Sequence, residues 1–265
     1  MANNKKQWLK AAWSAARAGE RVLLRYFNVN HTQTYGFKKY HEIVTEADKR
    51  SNDAIIKVLK RLSPDIPVLS EEGGTIDERA VQHADLAWVL DPLDGTTNYA
   101  ARLPLWGISL ALVKRGQPVL GVISLPVLKH RYHAVKGGGA WMGRMRLHVS
   151  KTRNLADSIG LMCFGYDGGS YRRYRRIEPT LTKNSRSTRK LGAAVVESIW
   201  VASGRADYAI LNGVHDWDVA AGTLLVTEAG GRAVTTKGKP WAMGEPDIVM
   251  CTPGIASAVL RVTRP

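Results

Sequence analysis

Two carboxylates, Asp91 and Asp94, stand three residues apart in the stretch Trp-Val-Leu-Asp-Pro-Leu-Asp-Gly-Thr-Thr-Asn-Tyr over 88–99. Like charges about 4 Å apart repel by roughly 4 kcal/mol at an effective dielectric near 20. A pair held together therefore needs a cation or a shared proton. A hard divalent ion takes oxygen ligands, and Mg²⁺ suits one or two carboxylates plus a substrate phosphate. Gly95 permits a tight backbone, and Thr96, Thr97 and Asn98 are residue types that open helices. The free N–H groups of such a start suit an anion. The apolar run 88–90 predicts a buried strand, and Pro92 is expected to break its ladder.

Further acids stand where strand ends or helix starts are expected: Asp48, Glu71-Glu72 and Asp216/Asp218. Asp218 in the first turn of a helix is favoured by the helix dipole. Asp216 reads as a solvated neighbour. Singly, each of these acids is an ordinary cap or surface residue, so the chemistry rests on their joint presence. Histidine and cysteine offer no alternative nucleophile. His130 and His133 lie three apart on a predicted strand and so face opposite ways. Gly137-Gly138-Gly139 lacks the GxGxxG spacing and the strand-to-helix context of a phosphate loop, and reads as a hairpin turn.

Elements must position these groups. Helices are expected over 8–26, from Thr45 to about 61, over 192–202, 217–229 and 254–260. The stretch 28–41 reads as a loop carrying Lys38 and Lys39. Strands are expected over 67–70, 107–113, 119–124, 131–135, 158–164, 208–211, 232–235 and 248–251. The first half thus reads as a helix pair followed by an antiparallel meander. The second alternates strands and helices, which predicts a layered α/β arrangement. With 265 residues the chain is long enough for one large domain, and a soft division near 150 carries no linker. No apolar run reaches the about 18 residues that span a bilayer, and residues 1–10 are polar. Cys163 and Cys251 sit in apolar contexts that fit buried thiols in a reducing compartment, the cytoplasm by default.

The charge is unusual. Thirty-eight Lys and Arg face 23 Asp and Glu, a net of +15, and the excess is local. Residues 129–190 hold 15 bases and only Asp157, Asp167 and Glu178, a net of +12. Such a stretch is a solvated face, a device that steers anionic substrates, or a nucleic-acid surface.

Residues 91–98 resemble the first signature of the inositol monophosphatase family. Val44-Thr45 with Asp48 resembles its early V-T-x-x-D stretch, and Ser70-Glu71-Glu72 its acidic strand end. His215-Asp216-Trp217-Asp218-Val219-Ala220-Ala221-Gly222, with Thr227-Glu228-Ala229-Gly230-Gly231 behind it, resembles the second signature. Glu42 stands where the family often has Asp. The resemblance implies an α/β (α+β) fold, the layered α-β-α-β-α sandwich of the lithium-sensitive sugar-phosphatase superfamily that includes fructose-1,6-bisphosphatase. It also implies a single domain over 1–265 and a homodimer. Glu71, Asp91, the carbonyl of Leu93, Asp94 and Asp218 are implied ligands of two or three Mg²⁺. Glu71 and Thr96 are implied to orient the attacking water, with Asp48 hydrogen-bonded to Thr96. The N–H groups of Gly95 and Thr96 are implied to hold phosphate, and Gly192, Ala193 and Ala194 to line the substrate pocket.

The activity implied is hydrolysis of a small phosphate monoester of a polyol or sugar, inositol 1-phosphate first. The alternatives are a nucleotide, histidinol or fructose-bisphosphate phosphatase, or an RNA- or transcription-complex-binding protein with residual catalysis through 129–190. Leu211 departs from the pattern. The family's inositol-specific members carry Glu seven residues before the second-signature Asp, to hydrogen-bond substrate hydroxyls. Leucine at that place predicts broad specificity.

Overall fold

A computed structural model describes residues 2–27, 35–39 and 42–264. Helix α1 (Ala2–Phe27) begins six residues before the apolar periodicity does. Strands β1 (Tyr35–Lys39) and β2 (Glu42–Thr45) pair antiparallel, so the predicted loop over 28–41 contains a strand. Residues 28–34, 40 and 41 lie outside the described residues, as do the side chains of Lys38, Lys39, Glu42 and Val44. Thr45 caps α2 (Glu46–Leu62) with Asp48 in a capping box, as its residue type predicts.

Seven strands then form one sheet in chain order: β3 (Val68–Ser70), β4 (Ala87–Asp94), β5 (Gly107–Lys114), β6 (Gln117–Leu125), β7 (His130–Val135), β8 (Ala140–Met142) and β9 (Met145–Arg146). Only β3 and β4 run parallel, with α3 (Glu78–His83) between them. A short helix α4 (Thr96–Ala100) follows β4.

The rest of the chain contributes β10 (Ile159–Phe164), α5 (Gly168–Asn184), β11 (Ser187–Arg189), α6 (Ala194–Ala202), β12 (Tyr208–Asn212), α7 (Asp216–Glu228), β13 (Arg232–Val234), β14 (Asp247–Cys251) and α8 (Ala256–Thr263). Its five strands lie in the order β11-β10-β12-β14-β13. β10 is parallel to both neighbours, and β14 is antiparallel to β12 and β13.

Strand alternation decides the layering. On β4, Trp88 and Leu90 pack beneath α1 and α2 with Leu23, Ile55 and Leu59, whereas Val89 faces the opposite core. That central core holds Val195, Ile199, Ala220 and Leu225 of α6 and α7, roofed by Leu161, Ala209 and Met250 of the second sheet. Met162, Ile210 and Val249 face the other way, onto α5 and α8. The result is α-β-α-β-α. α6 and α7 carry apolar residues nearly all round because a sheet covers each face.

Gly137 (φ +77°) and Gly139 (φ +80°) turn between β7 and β8, and their N–H groups donate to Glu228 at 2.7 and 2.8 Å. Glu228 of the second signature thus braces this hairpin. His130 bonds Tyr132, and His133 packs its ring edge-on to Trp13 at 6.2 Å, so the two histidines do not meet. Both cysteines are free thiols, on opposite faces of the second sheet.

Candidate active site

The register of the first sheet brings the acids together. Ser70 pairs with Leu90 across the parallel β3–β4 ladder, so the next residues, Glu71 and Asp91, emerge side by side. Glu71 N–H donates to Leu90 O at 3.2 Å. Pro92 does not end β4. The strand continues to Asp94 through an irregular register against β5, in which Asp91 faces Ser109 and Asp94 faces Gly107. The bulge accommodates a residue without an N–H, and Leu93 N–H donates to Asp91 at 2.9 Å.

Ser109, opposite Asp91, donates its hydroxyl to Trp217 O at 2.9 Å. That bond sets the N-terminus of α7 over β5 and brings Asp218 into the electrostatic reach of Asp91. Asp218 also accepts His215 N–H at 2.8 Å. Asp216 beside it is buried and accepts Gly244 N–H at 2.7 Å, so it is a structural brace and not a solvated neighbour.

Burial first, then the charges of Glu71, Asp94 and Asp218, hold the Asp91 carboxyl well above its ordinary range, and Glu71 hydrogen-bonds it. Asp94 is pushed up to about 7, chiefly by burial, although the N–H groups of Val195 and Ala194 oppose the shift. Among the described residues no three His, Cys, Asp or Glu side chains already stand at coordination distances. The donor set nevertheless fits a hard divalent ion. It is all oxygen, with Asp91 and Leu93 buried and Glu71, Asp94 and Asp218 half-buried, and Asp91 and Glu71 meet through a hydrogen bond that requires a proton where a cation would serve.

Beside these acids lies a hydroxyl–carboxylate pair. Thr96 Oγ1 is 3.0 Å from Asp48 Oδ1 and 3.1 Å from Leu93 O. Asp48 also accepts the N–H and hydroxyl of Thr45. Burial raises its pKa to about 6 against those bonds. Gly95 has φ +85°, and a Cβ there would meet Ala193 Cβ at 2.9 Å and Leu105 O at 3.0 Å. Only glycine fits.

The opposite wall is Leu191–Ala194. α6 starts at Ala194, two residues later than the sequence suggests, leaving Gly192 and Ala193 in the connection, where Asp94 reaches Val195 N–H at 2.6 Å. Tyr166 is half-exposed, with its hydroxyl 3.4 Å from Thr97 Oγ1. Leu211 is fully buried on the central face of β12, register partner of Cys163, packed in the core.

The chain matches the model of the inositol monophosphatase family over residues 4–264. It belongs to that family. It is 31% identical over 264 residues to the Nus factor SuhB of Pasteurella multocida, covering 97% of this chain and 96% of that protein. To the inositol-1-monophosphatase of Mesorhizobium japonicum it is 32% identical over 256 residues, covering 95% and 93%. Among solved structures, the inositol monophosphatase of Anabaena superposes with a TM-score of 0.83 at 30% identity, over 98% of this chain and 96% of that one. The chain is therefore a phosphoric monoester hydrolase with the layered fold that its signatures imply.

Two further contacts hold this arrangement together. Asn98 donates to Leu105 O at 2.7 Å and to Leu191 O at 2.8 Å, stitching the first signature to the opposite wall. Ser51 reaches Pro92 O at 3.0 Å. Leu191 lies 93 residues from Asn98 and Pro92 lies 41 from Ser51, where spacing rules do not reach.

Proposed function

We propose that this phosphatase hydrolyses small polyol or sugar phosphates, with inositol 1-phosphate the leading substrate, in a reaction dependent on Mg²⁺. The observation that carries the reading is the Asp48–Thr96 pair standing beside the buried acids Asp91 and Asp94. Glu71, Asp91, the Leu93 carbonyl, Asp94 and Asp218 would hold two or three Mg²⁺. When bound, the metal supplies a low-pKa water and stabilises charge on phosphate and leaving oxygen.

The chain's own groups do the rest. The Thr96 hydroxyl donates its hydrogen bond to ionised Asp48, so the Thr96 oxygen is left with lone pairs to accept a hydrogen bond from the attacking water. Glu71 accepts the second proton of that water and aims it in line with phosphorus. The N–H groups of Gly95 and Thr96 donate to phosphate oxygens. Gly192, Ala193 and Ala194 line the leaving-group side, and Leu211, buried in the core, offers a substrate hydroxyl no acceptor, which favours broad specificity.

A screen of polyol, sugar and nucleotide phosphates with and without Mg²⁺ tests this reading. Turnover of inositol 1-phosphate within about a hundredfold of glycerol 2-phosphate is expected. Undiminished turnover in excess EDTA would overturn it. A homodimer in the cytoplasm is part of the same proposal; among the described residues no helix is long and apolar enough to cross a membrane.

A second reading, nucleic-acid binding through 129–190, is supported by α5 and by the Nus factor name of a relative. Arg172 and Arg175 are exposed beside half-exposed Tyr171, and Lys190 lies 3.6 Å above the Phe164 ring. Arg173 is half-buried in an ion pair with Asp247 at 2.8 Å, and Arg176, exposed, reaches Thr263 O at 3.4 Å. A gel shift on Arg172→Glu/Arg175→Glu tests surface binding without unseating the helix.

A further inference from the structure

Helix α6 has Ala193 at its N-cap, a residue with no side-chain acceptor. Two carboxyls from other places serve that end of the helix. Asp94 takes the N–H groups of Val195 and Ala194. Glu197, one turn inside the helix, reaches back and takes those of Leu191, at 3.1 Å, and Gly192. Glu197 has no exposed surface, and its Oε2 finds no hydrogen-bond partner among the described residues. A buried carboxyl is costly, so apolar packing alone would not place one there.

What it grips is the turn facing the phosphate cradle. Gly192 sits at φ +74°, and a Cβ on it would stand 3.5 Å from the Asn98 amide. Asn98 holds Leu191 O from the other side. Ala193 Cβ comes so near Gly95 that no side chain fits there. One carboxyl and one amide thus fix two successive peptides that separate the leaving-group wall from the cradle.

We infer that Glu197 is a positioning residue for the hydrolysis: by holding the Leu191 and Gly192 N–H groups, it sets Leu191–Ala194 against Gly95 and Asn98, and so fixes where the ester's leaving group lies relative to its phosphate. It acts through the backbone and touches no reacting atom. The inference rests on the reading of Gly192–Ala194 as the pocket wall.

Two near-isosteric variants test it. Glu197→Gln keeps an acceptor oxygen for the Leu191 N–H, and Glu197→Met removes it. With inositol 1-phosphate and glycerol 2-phosphate as probes, Glu197→Met is expected to raise KM about tenfold while kcat stays within about threefold, and Glu197→Gln to restore KM to within about threefold of wild type. Amide exchange at Leu191 and Gly192 is expected to accelerate in Glu197→Met and not in Glu197→Gln. Should the Met variant not fold, Glu197→Asp, which withdraws the carboxyl by one methylene, is expected to raise KM severalfold. Unchanged exchange in whichever of these folds, or equal impairment of Gln and Met, overturns the inference. Changed exchange with KM unaffected for both esters overturns instead the reading of Gly192–Ala194 as the pocket wall.

Discussion

The wall built from β4 and the start of α7 carries its chemistry on side chains, whereas the facing wall, Leu191–Ala194, carries it on backbone and small apolar groups. The first gathers Asp91, Asp94, Glu71 and Asp218 at strand and helix ends, with burial and mutual repulsion raising Asp91. The second is held from behind by Glu197 and Asn98 and presents Gly192, Ala193 and Ala194. The difference separates two tasks. In the proposed reaction, charge stabilisation requires particular residue types, while the shape of the leaving-group side requires a fixed backbone. Asp94 joins the two, as one of the gathered acids and as the acceptor for Val195 N–H.

Asp94→Asn strikes that junction and is expected to have the largest effect. Asparagine still accepts the Val195 N–H, so circular dichroism is expected to be unchanged. Losing several kcal/mol of transition-state stabilisation lowers kcat by about a thousandfold. An effect below about tenfold would remove Asp94 from the ligand set. Thr96→Val removes the hydroxyl from Asp48 and is expected to lower kcat by about a hundredfold with KM little changed. Equal losses in kcat for Thr96→Ser and Thr96→Val would break the hydroxyl's assigned role.

On the apolar side, Leu211→Ala is expected to cost about 2–5 kcal/mol of stability by opening a cavity in the central core. Chemical denaturation measures it. Leu211 has no exposed surface, so a change in KM without a loss of stability would mean that it meets substrate directly.

The pH dependence of stability involves both walls. Asp48, Asp94 and Glu197 are raised to about 6, 7 and 8, each mainly by burial. Each folded-state value lies above the unfolded one, so the folded chain keeps protons that the unfolded chain releases. Their contribution is full below the unfolded values, near 4, and is lost as pH rises through the folded ones. The Tm of metal-free protein is therefore expected to fall between pH 5 and pH 8. Mg²⁺ is expected to restore it most at pH 8, where the acids are ionised. A metal-free Tm that rises over that window would contradict the burial of these acids. The smallest effect is expected at the outer face: Arg172→Glu/Arg175→Glu should leave turnover of glycerol 2-phosphate within about twofold, since both side chains are exposed on α5.

Much of this arrangement was legible beforehand. The helix opening at Thr45, the strand carrying Asp91 and the helix carrying Asp218 follow from caps, apolar runs and periodicity. The errors share a cause. Pro92 was expected to end a strand, but a bulge lets β4 run on to Asp94. β11 and α3 are short elements with weak local propensity, and pairing or packing with distant residues creates them. Within the basic stretch 129–190, tertiary contacts tie Arg173 to Asp247 and Arg176 to Thr263 O, which the sequence does not distinguish from Arg172 and Arg175.

The sequence by itself determined which chemistry this protein performs, because acids at expected strand ends and helix starts, within two signature stretches, leave few alternatives for those residue types. Only the tertiary structure decided what holds them in place: the Ser70–Leu90 register, the reach of Ser109 to Trp217 O, and the grip of Glu197 and Asn98 on Leu191. The physical reason is range. A cap or an apolar period is written within a few residues, whereas a hydrogen bond between strands or layers joins residues whose separation along the chain is arbitrary, and no local pattern records it.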